Sequence, residues 1–432
     1  MRKQIAIVSA FTVASQLAAL LKLWFTARIF GVGPELDGYN LALVLPALIA
    51  GVMAGVLQTG LFPVRARLKA AGDESAVATF ERAVLLGMIV LGSIFSTLLL
   101  LGAPVIVEML SISASDSVRS SLSFSFPVAA LLVLLNFVGD CCGYFLAMRN
   151  RFAFAAVAPV ANGILGAIFL AAWPEGGLLN LVVGTVLGLA LQVCICLWGL
   201  KLIGFNLFGA LPTWRATKEF WREILSLGGW ILPGVVFSNL VVFLPPVWVV
   251  RYGEGAVSAF GYAYRLHSSA LQLLVIASST VILARFSDLI AQNQFNLVRK
   301  IIIKAGVASA VIGLFASVAV WAMGAYLLQW IFGGRFDEEA ATRVSSHWLL
   351  LTFGLPFAML GNVFAKFWQS QTRPQLISIM AGISLLSLMV LHTLTNSFLK
   401  EFSLSTALSA SAFSVVLCGM WFLNLSKKRV DV

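Results

Sequence analysis

Charged side chains are scarce in this sequence, since Asp, Glu, Lys and Arg make up only 11% of its 432 residues. Typical soluble domains carry about 25%. Hydrophobic residues account for 60% of the chain, and the mean hydropathy is +0.96. No soluble fold could bury this much apolar surface. Long continuous apolar runs satisfy their backbone in lipid as helices. We therefore predict an all-α integral membrane protein.

Cysteine and histidine are also rare, with five and three residues. The cysteines lie in apolar runs without a CxxC pair, and the histidines are isolated from one another. This predicts buried thiols with no disulfide framework and no metal site. GxSxG, HExxH, Walker A and DxD motifs are missing, so we expect no enzyme and no cofactor. Coupling to a monovalent cation, a proton or the membrane potential stays open.

Apolar segments of bilayer length occur along nearly the whole chain. We predict about twelve transmembrane helices, at residues 5–30, 39–63, 83–109, 122–147, 152–173, 178–200, 224–250, 256–284, 304–331, 346–369, 375–397 and 403–425. The first run is too long for the apolar region of a signal peptide, and we interpret it as the first span.

The basic residues are unevenly distributed over the predicted loops. With the N-terminus inside, twenty Lys and Arg residues fall on the cytoplasmic side and five on the other. The five are Arg119, Arg251, Arg335, Arg343 and Lys400. This asymmetry follows the positive-inside rule and predicts that both termini are cytoplasmic. It accounts for most of the net charge of +11, so we expect no nucleic-acid partner.

Weak internal repeats align the two halves of the chain. FERAVLLG (80–87) aligns with VRKIIIKA (298–305), and YFLAMRNRF (144–152) with KFWQSQTRP (366–374). An offset of six spans keeps the orientation, which predicts a parallel repeat around a central cavity. We therefore expect two six-helix lobes, at 1–200 and 224–432. A cytoplasmic linker at 201–223 would join them.

Four cations remain inside the predicted spans. Arg265 lies roughly 15 Å into span 8, near the midplane, where an ionised group is costly unless it faces a bundle interior or a wet cavity. We predict that Arg265 contacts an anion, although a structural carboxylate pair is the alternative. Lys22 is a second cavity candidate. Arg28 could reach water or pair with a carboxylate in the following loop, and Lys366 could extend to the inner surface.

Carboxylates are sparser than cations inside the predicted spans. Asp140 is the one clear intramembrane acid, and Asn136 shares its helix face at i and i+4. Asp140 could bind a coupling cation or proton, or it could pair with Lys366 or Lys22. With four cations to one acid, a cavity of this sign suits an anionic substrate, and arginine suits bidentate phosphate contact.

Several motifs resemble the lipid II flippase family known as MurJ or MviN. They include ARIFGVG (27–33) followed by Asp37 and LVLPA, then GEGAVSAFGYAYRL (253–266), IFGGRFD (331–337) and FWQSQTRPQ (367–375). The resemblance covers nearly all of the chain. It implies a two-lobed flippase that passes a polyprenyl-diphosphate-linked sugar through a cationic cavity. It also implies that Arg265 is the cavity arginine, with Arg28 and Asp37 as the span-1 cation and the following acid.

The sequence also departs from the family pattern. The stretch LPALIAGVMAGVLQTG (45–60) has no charge where the family has two arginines and a glutamate, Val44 replaces a lysine, and we count twelve spans rather than fourteen. We therefore expect a flippase in the bacterial inner membrane for a lipid-linked oligosaccharide of an exopolysaccharide or of peptidoglycan.

Other functions stay open at this point. The alternatives are a lipid II flippase proper, a cation-coupled multidrug or metabolite antiporter, a membrane glycosyl- or acyltransferase, and a non-transporting scaffold. The expected partners are the polyprenyl-diphosphate-linked saccharide and membrane lipids, together with polymerases or glycosyltransferases.

Overall fold

The computed structural model describes residues 2–205, 213–228, 231–292, 294–371 and 373–430. The structure is 92% helical, and no strand is present among the described residues. Ten segments are long and apolar enough to cross a membrane, and one of them, Gln375–Leu423, contains two helices. The predicted all-α membrane fold is confirmed.

The chain divides into two compact units, Met1–Leu232 and Pro233–Val432. The first unit contains α1 Arg2–Phe30, α2 Pro34–Ala70, α3 Glu74–Leu101, α4 Ala103–Leu110, α5 Asp116–Met148, α6 Phe152–Ala172, α7 Gly177–Leu202 and α8 Trp214–Gly228. The second contains α9 Leu232–Val249, which starts at the boundary, and then α10 Ala256–Ala291, α11 Phe295–Phe332, α12 Glu338–Ser370, α13 Pro374–Leu399 and α14 Ser403–Val430. Twelve of the helices in the described chain have 18 residues or more, six for each unit.

Local sequence signals determine where several helices begin. The side chains of Asp73, Ser115 and Asp337 accept hydrogen bonds from the third backbone N–H of α3, α5 and α12. These side chains satisfy amide groups that have no partner within the helix. The bond from the Ala76 N–H is the main reason that the pKa of Asp73 lies below its usual range. Its carboxylate therefore caps α3 in the ionised form at neutral pH.

The third predicted span, 83–109, is two helices in the structure. α3 ends at Leu101, Gly102 separates it from α4, and Pro104 stands in the first turn of α4. Proline has no N–H, so the backbone hydrogen bond that would continue α3 through residue 104 is missing. Because the apolar run is continuous, its hydropathy did not indicate the helix break at this proline.

The helices pair in the same way within each unit. In the first unit, α5 packs on α2, α3 and α7, and α6 packs on α1 and α7. In the second unit, α12 packs on α10, α11 and α14, and α13 packs on α14 and, through Gly382 against Phe237, on α9. These pairings correspond helix by helix, with α4 and α8 as additions to the first unit. The fold within each unit therefore supports an internal repeat of six helices.

The segment between the predicted lobes is partly helical. Residues 214–228 form α8, which packs on α2 and α3 of the first unit. Residues 206–212 lie outside the described chain. The boundary between the compact units follows Leu232, whereas the sequence predicted that the second lobe begins at residue 224.

Candidate functional site

Lys22 lies at a junction of four helices in the first unit. Its ammonium donates a hydrogen bond of 2.8 Å to the hydroxyl of Thr185 on α7. The Tyr39 hydroxyl of α2 lies 2.8 Å from the same Thr185 oxygen. On α6, Gly166 leaves room for the lysine stem, because a Cβ added there would lie 2.9 Å from its Cδ. The half-buried Lys22 side chain is thus positioned by α2, α6 and α7.

Asp37 and Arg28 lie on either side of the turn between α1 and α2. Asp37 is fully buried in the first turn of α2, where the helix dipole favours a negative charge. Arg28 is exposed, and its guanidinium carbon lies 5.4 Å from the centre of the Trp24 ring. Among the described residues, no ion pair includes Arg28. The arginine is therefore held by a cation–π contact rather than by a loop carboxylate.

Arg265 projects from α10 of the second unit and is exposed. Within the described chain, no hydrogen bond or ion pair engages its guanidinium, and only its backbone carbonyl accepts a bond, from Ser268. A carboxylate partner, the structural alternative, is not found there. An ionised arginine side chain is costly against lipid but not against water. Its five N–H donors are therefore free of partners among the described residues.

A cavity of about 250 Å³ lies within the second unit and is lined by residues of α9, α10, α12, α13 and α14. Tyr264 and His267, the neighbours of Arg265 on α10, line the cavity together with Ser268. Ser384, Ser409 and Ser411 contribute hydroxyl groups from α13 and α14. His267 therefore faces the interior of the second unit.

Asp140 lies half-buried on α5 in the first unit. Within the described chain, no hydrogen bond or ion pair engages its carboxylate, so neither Lys22 nor Lys366 pairs with it there. Tyr144 and Cys196 are close enough to interact with it electrostatically. Asn136, one turn earlier, donates a hydrogen bond of 2.8 Å to the Leu132 carbonyl of its own helix. The amide is therefore occupied, while the carboxylate is available to a cation or a proton.

Lys366 lies near the end of α12 and is half-buried. Its ammonium donates to the Gln369 side chain, at 3.2 Å on an exposed part of the surface. This geometry matches a lysine that extends along its helix toward water. Of the predicted site residues, Lys22, Arg28, Asp37, Asn136 and Asp140 belong to the first unit, and Arg265 and Lys366 to the second.

The structure also reveals a buried ion triad that sequence reasoning missed. Glu81 of α3, with a fully buried side chain, accepts a hydrogen bond of 2.6 Å from Arg65 of α2 and a second from Arg149, which caps α5. From the sequence, both arginines were assigned to the positive-inside charge. The available signal was Glu81 itself, because an acid at the edge of an apolar run requires a cation.

Polar contacts also join the helices at one end of the second unit. Arg343 forms a bidentate ion pair with Glu401, with a shortest distance of 2.6 Å, and donates to the Glu254 carbonyl at 2.9 Å. The guanidinium of Arg251 lies 2.5 Å from the Nε2 atom of His392. The other ring nitrogen of His392, Nδ1, is hydrogen-bonded to the Ser403 hydroxyl at 2.9 Å. These arginines were assigned to the non-cytoplasmic side, and they connect the loops at that end.

Comparison with known families places these features in context. A family model described as lipid II flippase MurJ matches residues 26–431. A probable lipid II flippase MurJ from Rhizobium meliloti is 27% identical over an alignment of 405 positions that covers 88% of this chain and 73% of that protein. A probable lipid II flippase MurJ from Thermotoga maritima is 23% identical over 82% of this chain and 71% of its own length.

Solved structures share the fold at low sequence identity. A lipid II flippase MurJ in an inward closed conformation aligns with a TM-score of 0.83 at 17% identity, over 97% of this chain and 87% of that one. An inward-facing multidrug resistance transporter of the MATE family aligns with a TM-score of 0.74 at 14% identity, over 99% of this chain and 96% of that one.

Proposed function

Because this chain belongs to the MurJ family of lipid II flippases, we propose that it translocates a polyprenyl-diphosphate-linked oligosaccharide across the bacterial inner membrane. The observation that carries this proposal is the exposed guanidinium of Arg265, which no acceptor engages within the described chain. A diphosphate carries two groups that match the planar donor fork of arginine. Alternating access would present this arginine to each side in turn.

The first unit supplies the remaining cationic contacts in this proposal. Lys22 is held by Thr185 and its stem packs against Gly166, so its charge has a defined position. Arg28 is exposed about 9 Å further along α1 and would meet the headgroup nearer the outer surface. Asp37 lies buried in the first turn of the following helix, α2. The predominance of cations over acids favours an anionic lipid over the cationic drugs of an antiporter.

A transport assay with Arg265 variants tests this mechanism. Purified protein would be placed in vesicles that contain a fluorescent polyprenyl-diphosphate sugar, and dithionite would report the fraction in the outer leaflet. We expect Arg265→Ala to slow transfer by roughly 10- to 100-fold, the equivalent of one lost charge-assisted bond of about 1.5–3 kcal/mol. Arg265→Lys should be intermediate, because lysine keeps the charge but loses the fork.

The matched control is Arg285→Ala, which removes another exposed arginine from the same helix. It should transfer lipid like the unmodified protein, because it lies toward the other end of α10. If Arg265→Ala folds and transfers lipid at the normal rate, the proposed diphosphate contact is wrong. Equal slowing in both variants would indicate a general charge effect and would also contradict the mechanism.

We assign ion coupling to Asp140. Its carboxylate is half-buried and engages no hydrogen-bond donor within the described chain, so a cation or a proton would relieve the cost of its burial. Asp140→Asn keeps the shape and removes the charge. In the same vesicles we expect this variant to lose the dependence of transfer on an imposed ion or pH gradient. A gradient response identical to that of the unmodified protein would remove Asp140 from the coupling step.

The same family membership supports lipid II itself as a second candidate, since the Rhizobium and Thermotoga relatives are named probable lipid II flippases. The uncharged stretch at 45–60 favours a different lipid-linked oligosaccharide. In either case we propose cytoplasmic termini, because the basic residues are asymmetric. Polymerases or glycosyltransferases that use the exported lipid are the proposed protein partners.

A further inference from the structure

Helix α8, which the transport mechanism does not use, has two sharply different faces. Its buried face is apolar and contacts the first unit. Phe220 packs edge to face on Phe80, with ring centres 5.1 Å apart. Ile224 is fully buried against Gly60, where an added Cβ would lie 2.5 Å away. The helix is therefore fixed to α2 and α3 through this face.

These contacts lie at the boundary of the apolar segments that the basic residues predict to be cytoplasmic. Gly60 is close to the end of the apolar run 39–63, which the arginines of α2 follow. Trp221 of α8 packs on Gly87 of α3, which lies near the start of the apolar run 83–109. Arg67 of α2 also pairs with Glu223 of α8 at 2.6 Å. The contacts thus bracket the level at which lipid headgroups meet the hydrocarbon.

The exposed face of α8 has an apolar edge beside a basic edge. Trp214 is 81% exposed and Leu225 is 54% exposed. At about 100° per residue, these two side chains share one stripe of the helix, with Lys218 on its border. Arg222 and Arg215 continue around the helix beyond Lys218, and all three cations are exposed. From the buried face outward, the order is apolar contact, exposed apolar edge and basic edge.

We propose that this exposed face of α8 binds anionic phospholipid headgroups of the cytoplasmic leaflet. The order of the edges matches the order of a membrane surface, where indole rings occupy the interface and basic side chains reach the phosphates. A basic edge next to an exposed tryptophan is typical of helices that lie in the interface plane. Arg215 pairs with Glu219 at 3.5 Å between exposed side chains, and the basic edge as a whole keeps a net positive charge.

The test compares lipid retention by two variants that lose the same charge. The first replaces Arg215, Lys218 and Arg222 by glutamine. The control replaces Arg299, Lys300 and Lys304 of α11, three exposed basic residues on the predicted cytoplasmic side, by glutamine. Each full-length protein would be purified from equal mixtures of phosphatidylglycerol and phosphatidylcholine, and native mass spectrometry would count both lipids on it. A melting temperature in detergent would confirm that each variant is folded.

We expect the unmodified protein and the α11 variant to retain phosphatidylglycerol selectively. In the α8 variant, its affinity should fall by about fivefold for each cation removed, which corresponds to about 1 kcal/mol per charge near an anionic surface. The single variant Trp214→Ser should lower the retention that persists in high salt, because screening leaves the apolar contribution in place. It keeps all three cations.

Three results would overturn the proposal. Undiminished phosphatidylglycerol on the α8 variant would show that the basic edge does not bind lipid. An equal loss in the α8 and α11 variants would show that surface charge in general, rather than this helix, attracts the lipid. A lack of lipid selectivity in the unmodified protein would leave the basic edge available to an acidic cytoplasmic protein instead.

Discussion

At the scale of single residues, the structure separates charges that hold helices together from charges that stay available to a ligand. The side chains of Arg265 and Asp140 engage no hydrogen-bond or ion-pair partner within the described chain. Glu81, by contrast, is fully buried between two arginines. A charge inside protein must be paired or solvated. The Glu81 triad therefore belongs to the architecture of the fold, whereas Arg265 and Asp140 are candidates for function.

Glu81→Gln tests the structural half of this distinction. The change leaves Arg65 and Arg149 without a counter-charge on side chains that are 10% and 24% exposed. We expect the free energy of unfolding to fall by about 3 kcal/mol, as for other broken buried pairs. Unfolding in a detergent titration would measure it.

The control is Glu219→Gln, because Glu219 is 69% exposed and pairs with Arg215 on the surface of α8. A pair of this kind contributes less than about 0.5 kcal/mol, so the control should unfold like the unmodified protein. If both variants lose the same small amount of stability, the Glu81 triad does not stabilise the first unit in the way its burial indicates.

At the scale of helices, small residues decide which elements approach closely. Gly163 of α6 faces Ala18 of α1, and a Cβ added to the glycine would lie 2.8 Å from the Ala18 Cβ and 2.9 Å from its backbone carbonyl carbon. Membrane helices associate mainly through such packing, because lipid supplies no hydrophobic drive between them. The α1–α6 contact, close to Lys22, therefore depends on the absence of a side chain.

Gly163→Ala and Gly143→Ala should change stability in opposite directions. At Gly163 the new methyl group meets backbone, so we expect a loss of about 1–3 kcal/mol from overpacking. At Gly143 of α5 nothing lies within 4 Å of the added Cβ, and the better helix propensity of alanine should add up to about 1 kcal/mol. Thermal unfolding in one detergent would compare them. A loss at both positions would count against the packing argument.

At the scale of the whole molecule, both units repeat one six-helix packing pattern, as in a transporter built from two related halves. Pairs such as α2 with α5 and α10 with α12 correspond between the units. The family membership and this architecture together support transport of a lipid-linked precursor. In cells without the protein, the lipid that accumulates would identify the headgroup of that precursor.

Mass spectrometry of polyprenyl-linked lipids from such cells makes the prediction specific. We expect a carrier with a peptide-free oligosaccharide to accumulate several-fold, because synthesis continues while export stops. Re-expression of the unmodified chain should reverse the accumulation, and the Arg265→Ala variant should not. A peptide-bearing disaccharide would instead identify lipid II as the substrate, and an unchanged lipid profile would contradict the flippase proposal.

The sequence by itself determined the membrane class, the helical fold and the number of long helices. These depend on local properties, because a bilayer requires about 20 apolar residues for each span and a satisfied backbone. Weak repeats also indicated two halves with the same packing. The break at Gly102 is an exception, since hydropathy averages over a single proline and glycine.

Only the tertiary structure decided which charges meet. Glu81 contacts Arg65 and Arg149 although they are 16 and 68 residues away, and Lys22 meets Thr185 across 163 residues. Hydropathy and residue spacing contain no information on these pairings, because they depend on which helix faces pack together. The same packing left Arg265 and Asp140 without a partner in the described chain, and it placed α8 against the ends of α2 and α3 rather than in an extended linker.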